Sequence, residues 1–357
     1  VDNDSVLLGQ RVVAILETGR RTATYKLATL MALIEHCIEN LPEEPHDKLR
    51  VPLPDLAHRV LEIYWQQVRP FDGNELRQST GSSARILRAT KELRVASGRV
   101  TGSVDAARLR AHAAYERAID EVVLCLAQQP LYRLQKVPGS STTDQFLYDD
   151  SFLHDHVQRS TLRAHGDAIE LKPGVARGLS RLAGLLKPAL EIMWVDDVRR
   201  MNKFLGAEVP DVAGHLFGRE RAVLNTVRQP FKEAFGPHCF YCGRHLPADN
   251  PMDHVLPWSL VGIDGLSNLV LACARCNGDK SRALLAVMIV ERVLRRERGA
   301  LEEIASALQW PTQHDRVLAA ARGIYRGQPA GVPTWSGYKQ TERLDISFLP
   351  RWLYPDP

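Results

Sequence analysis

Cys239-Phe240-Tyr241-Cys242-Gly243 and Cys273-Ala274-Arg275-Cys276-Asn277-Gly278-Asp279-Lys280, with Met252-Asp253-His254-Val255-Leu256-Pro257 between them, decide how this chain is read. Each CxxC pair can bring two thiolates to one side of a tight turn. Two such knuckles supply the four soft ligands of a tetrahedral zinc site. Gly243 suits the turn that follows the first knuckle. Four unrelated reduced cysteines would not be expected to fall into two CxxC pairs in one short segment, and a dithiol redox enzyme needs only one pair. Four protein ligands leave no coordination position for a substrate, so zinc at Cys239, Cys242, Cys273 and Cys276 is expected to be structural.

The enclosed residues carry a different chemistry. A histidine such as His254 can take a proton from water near neutral pH. The carboxylate of Asp253 and the amide oxygen of Asn277 are hard oxygen donors for a divalent cation. Lys280 follows Asn277 by about one helical turn and is placed to reach the same phosphate. Asn268, in Leu266-Ser267-Asn268-Leu269-Val270, is positioned to bond across a hairpin and orient the His254 ring. Neighbouring strand residues point to opposite faces, so bringing Asp253 and His254 into one site calls for a twist or bulge. Singly, each residue has a plainer reading: His254 as a hydrogen-bonded core histidine, Asn268 as a turn cap, Asn277 as a helix N-cap. Their joint placement favours the site.

Taken together, the segments Cys239–Gly243, Asp253–Pro257, Ser267–Val270 and Cys273–Lys280 resemble the HNH nuclease family, in particular the subset whose ββα-metal core is braced by a four-cysteine zinc. The resemblance covers roughly residues 235–285. It implies a β-hairpin followed by a helix, holding one catalytic Mg²⁺ or Mn²⁺. It implies His254 as general base, Asp253 and Asn277 as metal ligands, Asn268 as the residue orienting the base, and the four cysteines as zinc ligands. The third motif position is Asn277 rather than His, which keeps an oxygen donor for the metal. The implied activity is metal-dependent hydrolysis of phosphodiester bonds in DNA, with RNA left open. The contrasting reading is a zinc module that binds nucleic acid or protein without cutting.

Outside this segment the 357-residue chain reads as mostly α, a helical N-terminal region followed by the zinc-braced nuclease domain. Apolar residues at Leu27, Leu30, Met31, Ile34 and Ile38 recur at helical spacing, and helices are expected over 55–68, 84–96, 105–128, 175–186, 188–202, 219–235 and 284–298. Ser79–Ser83 reads as a loop capping the helix that begins at Ala84. Ala168–Leu171 reads as a short strand, and Pro138–Thr143 as a hinge loop. The expected domains are 1–137, helical and suited to recognition or regulation; 138–218, a connecting domain; 219–300, the nuclease domain; and 301–357, a helix with a Pro- and aromatic-rich tail that packs across another domain.

A net charge of +4 demands no nucleic-acid partner by itself, so such a reading rests on local clusters. The clearest runs from Arg77 to Arg110, where basic residues far outnumber Glu92 and Asp105. Arg85, Arg88 and Arg94 are its candidate phosphate contacts, against the plainer reading of a solvated helix face. Cys37 and Cys125 sit in apolar helical patterns and read as buried thiols. No apolar run approaches the ~20 residues that span a bilayer, and Val1–Leu16 lacks a leader pattern, so a cytoplasmic location without membrane partners is expected. By layout the chain suits a bacterial restriction or anti-phage nuclease, acting as a homodimer or with a partner protein of a defence system.

Overall fold

The computed structural model describes residues 3–17, 21–81, 84–98, 103–136, 144–205, 211–217, 221–347 and 349–354. The chain forms two compact units: Val1–Cys37 with Leu41–Arg219, and Ile38–Asn40 with Glu220–Pro357. Ser82 and Ser83 of the expected capping loop, Arg99 of the basic run and the expected hinge Pro138–Thr143 lie outside the described residues.

The first unit is helical. Its elements are α1 (Asn3–Glu17), α2 (Tyr25–Glu39), β1 (Leu49–Pro52), α3 (Leu53–Gln67), α4 (Arg85–Ala96), α5 (Val104–Arg110), α6 (His112–Gln128), α7 (Pro130–Leu134), α8 (Arg159–Ala164), β2 (Ala168–Leu171), α9 (Val175–Met201) and α10 (Val212–Phe217). In α3, Pro54 occupies the first turn, where its missing N–H costs nothing, and Asp55 favours the positive end of the helix. Leu56, Val60, Leu61 and Tyr64 then bury one stripe. The strand expected at Ala168–Leu171 finds its partner far upstream: it pairs antiparallel with β1, Leu49 opposite Leu171 and Pro52 opposite Ala168. This pairing places residues 1–137 and 138–218 in one unit.

Two expected helices differ. Residues 105–128 are not continuous; Ala111 leaves helical geometry at φ −135° and ψ 53°, separating α5 from α6. Conversely, the expected break at Pro188 does not occur, and α9 runs 27 residues through it. Proline removes one helical hydrogen bond there. Burial on both sides, at Leu186, Leu190 and Trp194, keeps the two halves in one helix. Lys187, beside the proline, forms a buried ion pair with Glu35 of α2 at 2.5 Å. Trp194 donates its indole N–H to Gln78, and the Thr24 and Tyr64 hydroxyls bond each other within this core. Cys37 and Cys125 are buried free thiols, burial pushing them up to about 12 and about 11.

The second unit begins with α11 (Arg221–Phe235). It continues through β3 (Met252–His254), a 3₁₀ turn at Leu266–Asn268, β4 (Leu269–Leu271), α12 (Ala274–Lys280), α13 (Val287–Leu294), α14 (Arg298–Leu308), α15 (His314–Gly327) and the hairpin β5 (Pro333–Gly337) and β6 (Gln340–Arg343). The helix expected over 284–298 is shorter, and Arg298 instead opens α14. The tail packs onto the segment that follows the second cysteine pair through Trp335. Its backbone exchanges hydrogen bonds with Leu284 and Ala286, and its indole donates to Asp279 at 2.8 Å. Among the described residues no helix is long and apolar enough to cross a membrane.

Removing one partner of the Lys187–Glu35 pair strands a buried charge. Lys187→Ala is therefore expected to destabilise the N-terminal unit by ~3–5 kcal/mol in urea unfolding. A Lys187→Met, Glu35→Gln double variant is expected to recover most of that loss.

Candidate active site

The first knuckle is a tight hairpin. The Cys239 N–H donates to Arg244, and the Gly243 N–H donates back to Cys239. Gly243 adopts φ +70°, a left-handed conformation that costs glycine little. The Phe240 N–H donates to Leu271, fastening the knuckle to β4. The second knuckle is the start of α12, where Cys273 is the N-cap and its sulfur accepts the Cys276 N–H. A further N–H, that of Cys273, points at the Cys239 sulfur at 3.3 Å.

The four ligand sulfurs lie within 4.8 Å of one another, with Cys242 and Cys273 at 3.9 Å. Sulfurs bonded at ~2.3 Å around a tetrahedral zinc are separated by about 3.8 Å, so the set fits that ion. Burial raises Cys239 and Cys276. At Cys273 burial is outweighed by the Cys276 N–H and neighbouring thiols, which bring it down to about 7. A thiolate forms most readily there, and thiolate is the form that binds metal.

β3 and β4 pair antiparallel, Met252 with Leu271, Asp253 with Val270 and His254 with Leu269. The expected bulge is absent: the ladder is regular through residue 254, and the pleat sends Asp253 and His254 to opposite faces. Asp253 meets the first knuckle and α12. Its carboxylate accepts the Tyr241 hydroxyl at 2.6 Å and lies 3.0 Å from the Lys280 ammonium. Burial, and then the Asp253 charge, hold the Tyr241 hydroxyl well above its usual range, so it stays a donor.

Lys280 is not a phosphate contact in this geometry. Its side chain is 1% exposed, and besides Asp253 it donates to the His254 carbonyl at 2.6 Å. It is an internal brace that ties α12 to β3. Asn277, one turn before it on α12, is half-buried and has no side-chain hydrogen bond among the described residues.

His254 faces the loop that follows. Its Nε2 lies 3.2 Å from Asp264 Oδ1, and its ring lies 5.8 Å from that of Trp258. Asn268 does not touch this ring. Fully buried, it accepts the Leu256 N–H at 2.8 Å and donates to the Ile263 carbonyl at 3.0 Å, closing the loop 256–263 on itself. The residue that meets the imidazole is Asp264, which the sequence reading missed. Its signal was an acidic residue between the His and Asn motifs, within reach once the loop closes.

The Asp264–Asn268 segment is held from outside the motif. Arg296 donates to the carbonyls of Leu269 at 2.7 Å and Ser267 at 2.9 Å, and burial lowers it to about 10. Trp310 donates to the Asp264 carbonyl at 2.7 Å, and Pro311 and Thr312 accept the N–H groups of Leu266 and Ser267.

In the other unit, Arg85 and Arg94 are engaged within the fold. Arg85 bonds Glu121 and Gln128 at 2.7 Å each, and Arg94 bonds the Trp65 carbonyl and lies over its ring. Arg88 is the most exposed of the three, with longer contacts to Glu92 and Glu121 at 3.9 and 3.5 Å.

Asp253 and Asn277 suit a hard cation. The carboxylate has about four lone-pair positions, of which Tyr241 and Lys280 use only part. The donors are therefore compatible with a divalent metal.

A family model described as Domain of unknown function (DUF8808) matches residues 7–216, and one described as HNH endonuclease matches residues 239–283. No curated protein and no solved structure matches the chain.

Zinc content is the direct check on the cysteine frame. The cysteine frame of the purified chain is expected to hold one tightly bound zinc. Cys276→Ala is expected to lose it and to lower the melting transition of the C-terminal unit, read by elemental analysis and calorimetry. Full zinc retention in that variant would displace Cys276 from the ligand set.

Proposed function

Because this chain belongs to the DUF8808 family and carries an HNH endonuclease domain, we propose that it is a metal-dependent endonuclease that hydrolyses phosphodiester bonds in DNA. The observation that carries the reading is a hairpin-and-helix core in which a carboxylate meets the imidazole of His254 and a cysteine cluster braces the frame. Asp253 and Asn277 are the residues that would hold Mg²⁺ or Mn²⁺, which supplies charge to stabilise the transferring phosphate and the leaving oxygen. With one ring nitrogen held by Asp264, the imidazole of His254 is oriented to take a proton from the attacking water. The water oxygen bonds phosphorus as the phosphorus–oxygen bond to the leaving sugar breaks; His254 holds the proton removed from the water, and the leaving oxygen takes a proton from solvent. Lys280 positions rather than reacts: it fixes Asp253 and the backbone of His254 together.

The large helical unit joined to a small nuclease core fits a target-recognising or regulatory partner for that core, as in a restriction or anti-phage nuclease acting in the cytoplasm, alone, as a homodimer or with a defence partner. This is a fold-level analogy.

Plasmid cleavage with Mg²⁺ or Mn²⁺ tests the reading. His254→Ala is expected to lower the rate ~10²–10⁴-fold, and equal cleavage by both proteins would remove His254 from the role of base. Asp264→Asn keeps the side-chain volume and is expected to lower kcat about tenfold with KM unchanged, the smaller effect suited to a residue that orients a base. DNA binding without nicking under any divalent metal would favour a non-catalytic zinc module. RNA cleavage in preference to DNA would move the substrate class. For the basic run, Arg88→Ala is expected to flatten the salt dependence of DNA binding by about one unit of slope, while Arg85→Ala acts on stability through Glu121.

A further inference from the structure

In the N-terminal unit, His58 and Glu62 stand one turn apart on α3, and Asp105 comes from the first turn of α5. His58 Nε2 lies 3.6 Å from Glu62 Oε1 and 3.4 Å from Asp105 Oδ1, and one ligand atom from each residue lies within 4.8 Å of the other two. On its other edge, His58 Nδ1 lies 3.0 Å from the Tyr115 hydroxyl on α6. We propose that His58, Glu62 and Asp105 form a second metal site, separate from the nuclease core, that binds a divalent transition cation such as Mn²⁺ or Zn²⁺.

The distances carry the proposal. A charge-assisted N–H···O bond closes to ~2.7–2.9 Å, and both His58 separations are longer than that. Ligands bonded at ~2.0–2.2 Å to a tetrahedral cation stand about 3.4 Å apart, which matches the 3.6 and 3.4 Å separations from His58, and the Glu62 and Asp105 oxygens lie within 4.8 Å of each other. The cysteine frame obeys the same relation for its own bond length, with 3.9 Å between the Cys242 and Cys273 sulfurs.

The surroundings agree. The Tyr115 hydroxyl can accept Nδ1–H, which fixes the tautomer that presents the Nε2 lone pair to the carboxylates. A partner on the second ring nitrogen is the usual companion of a metal-bound histidine. Burial raises Tyr115 to about 12, so the hydroxyl stays neutral. The three ligand side chains are 17%, 18% and 25% exposed, shielded yet open on one side. Two carboxylates neutralise a divalent charge, and one nitrogen with two oxygens suits Mn²⁺ or Zn²⁺ better than an all-oxygen ion such as Ca²⁺. Three protein ligands leave a position for water. The cation would clasp α3 to α5 within the helical unit.

The test uses the full zinc-containing chain with Asp253→Asn, which weakens the nuclease metal site, and Mn²⁺ as the probe. Free Mn²⁺ is followed by electron paramagnetic resonance. The Asp253→Asn chain is expected to bind about one Mn²⁺, and adding Glu62→Gln with Asp105→Asn is expected to weaken that binding about 10–100-fold. Circular dichroism confirms that the amide variants fold. In a parallel melting experiment MnCl₂ is expected to raise Tm of the Asp253→Asn chain and not of the triple variant. Equal Mn²⁺ affinity with and without the Glu62 and Asp105 substitutions, or no binding by the Asp253→Asn chain, would overturn the site. If the triple variant fails to fold, His58→Gln alone on the Asp253→Asn background decides by the same comparison. Neither outcome depends on whether the core cuts DNA.

Discussion

Two strands of three residues each cannot hold a hairpin together by their ladder alone. The interaction on which the C-terminal unit depends is the convergence of four cysteine sulfurs. It joins the hairpin before β3 to the first turn of α12, two segments far apart in sequence that must meet if Asp253 is to face Lys280. The knuckles are preorganised by backbone N–H groups aimed at sulfur, within the second knuckle and from it to Cys239, and by the left-handed Gly243. A cation bound there contributes folding free energy directly, since the unfolded chain has no such site. Leu266, Leu269 and Val270 are buried with the hairpin and add apolar contacts to the frame.

The motif is also not self-sufficient on its other side. Arg296, Trp310, Pro311 and Thr312 supply the hydrogen-bond partners for the backbone of 264–269, which as an irregular buried segment would otherwise leave polar groups unpaired. Trp335 does the same for the end of α12 through Asp279. Residues 286–343 are therefore part of the nuclease architecture, although nothing in their sequence announces it. The Arg296 guanidinium is suited to the task because it presents several donors in one plane and keeps its charge even when burial lowers its pKa.

What could be read from the sequence follows from the range of the interactions. The cysteine frame and the hairpin-helix order were legible because ligand spacing is local and chemically restrictive. Most N-terminal helices were legible from apolar periodicity. The partner of β2 was not, since β1 is more than a hundred residues away and Leu49–Pro52 is too short to signal a strand. The continuity of α9 through Pro188 was not, because it is decided by burial on both sides of the proline. The inward turn of Lys280 was hidden for the same reason: a lysine is ordinarily a surface residue, and only the packed carboxylate of Asp253 makes its burial tolerable. Asp264 was missed because its partner is set by loop closure through Asn268, not by spacing along the strand.

The pleat of β3 divides the site's work. Asp253 and His254 are adjacent in sequence and point apart, so one strand serves two environments. On the α12 side the carboxylate lies between the Lys280 ammonium and the Tyr241 hydroxyl, a setting that favours its charged form. On the loop side the imidazole has a half-buried carboxylate and the Trp258 ring, a setting that fixes orientation and tautomer. His254 is the last residue of the ladder, and beyond it Val255 still bonds to Asn268 while the chain turns away. A reacting group reaching both residues must therefore approach at the strand end, where the sheet no longer separates the two faces. The Lys280 ammonium links them, bonding the side chain of one and the carbonyl of the other. Lys280 thus holds the relative placement of the Asp253 carboxylate and the His254 backbone, a role that follows from its burial and that a surface lysine could not perform.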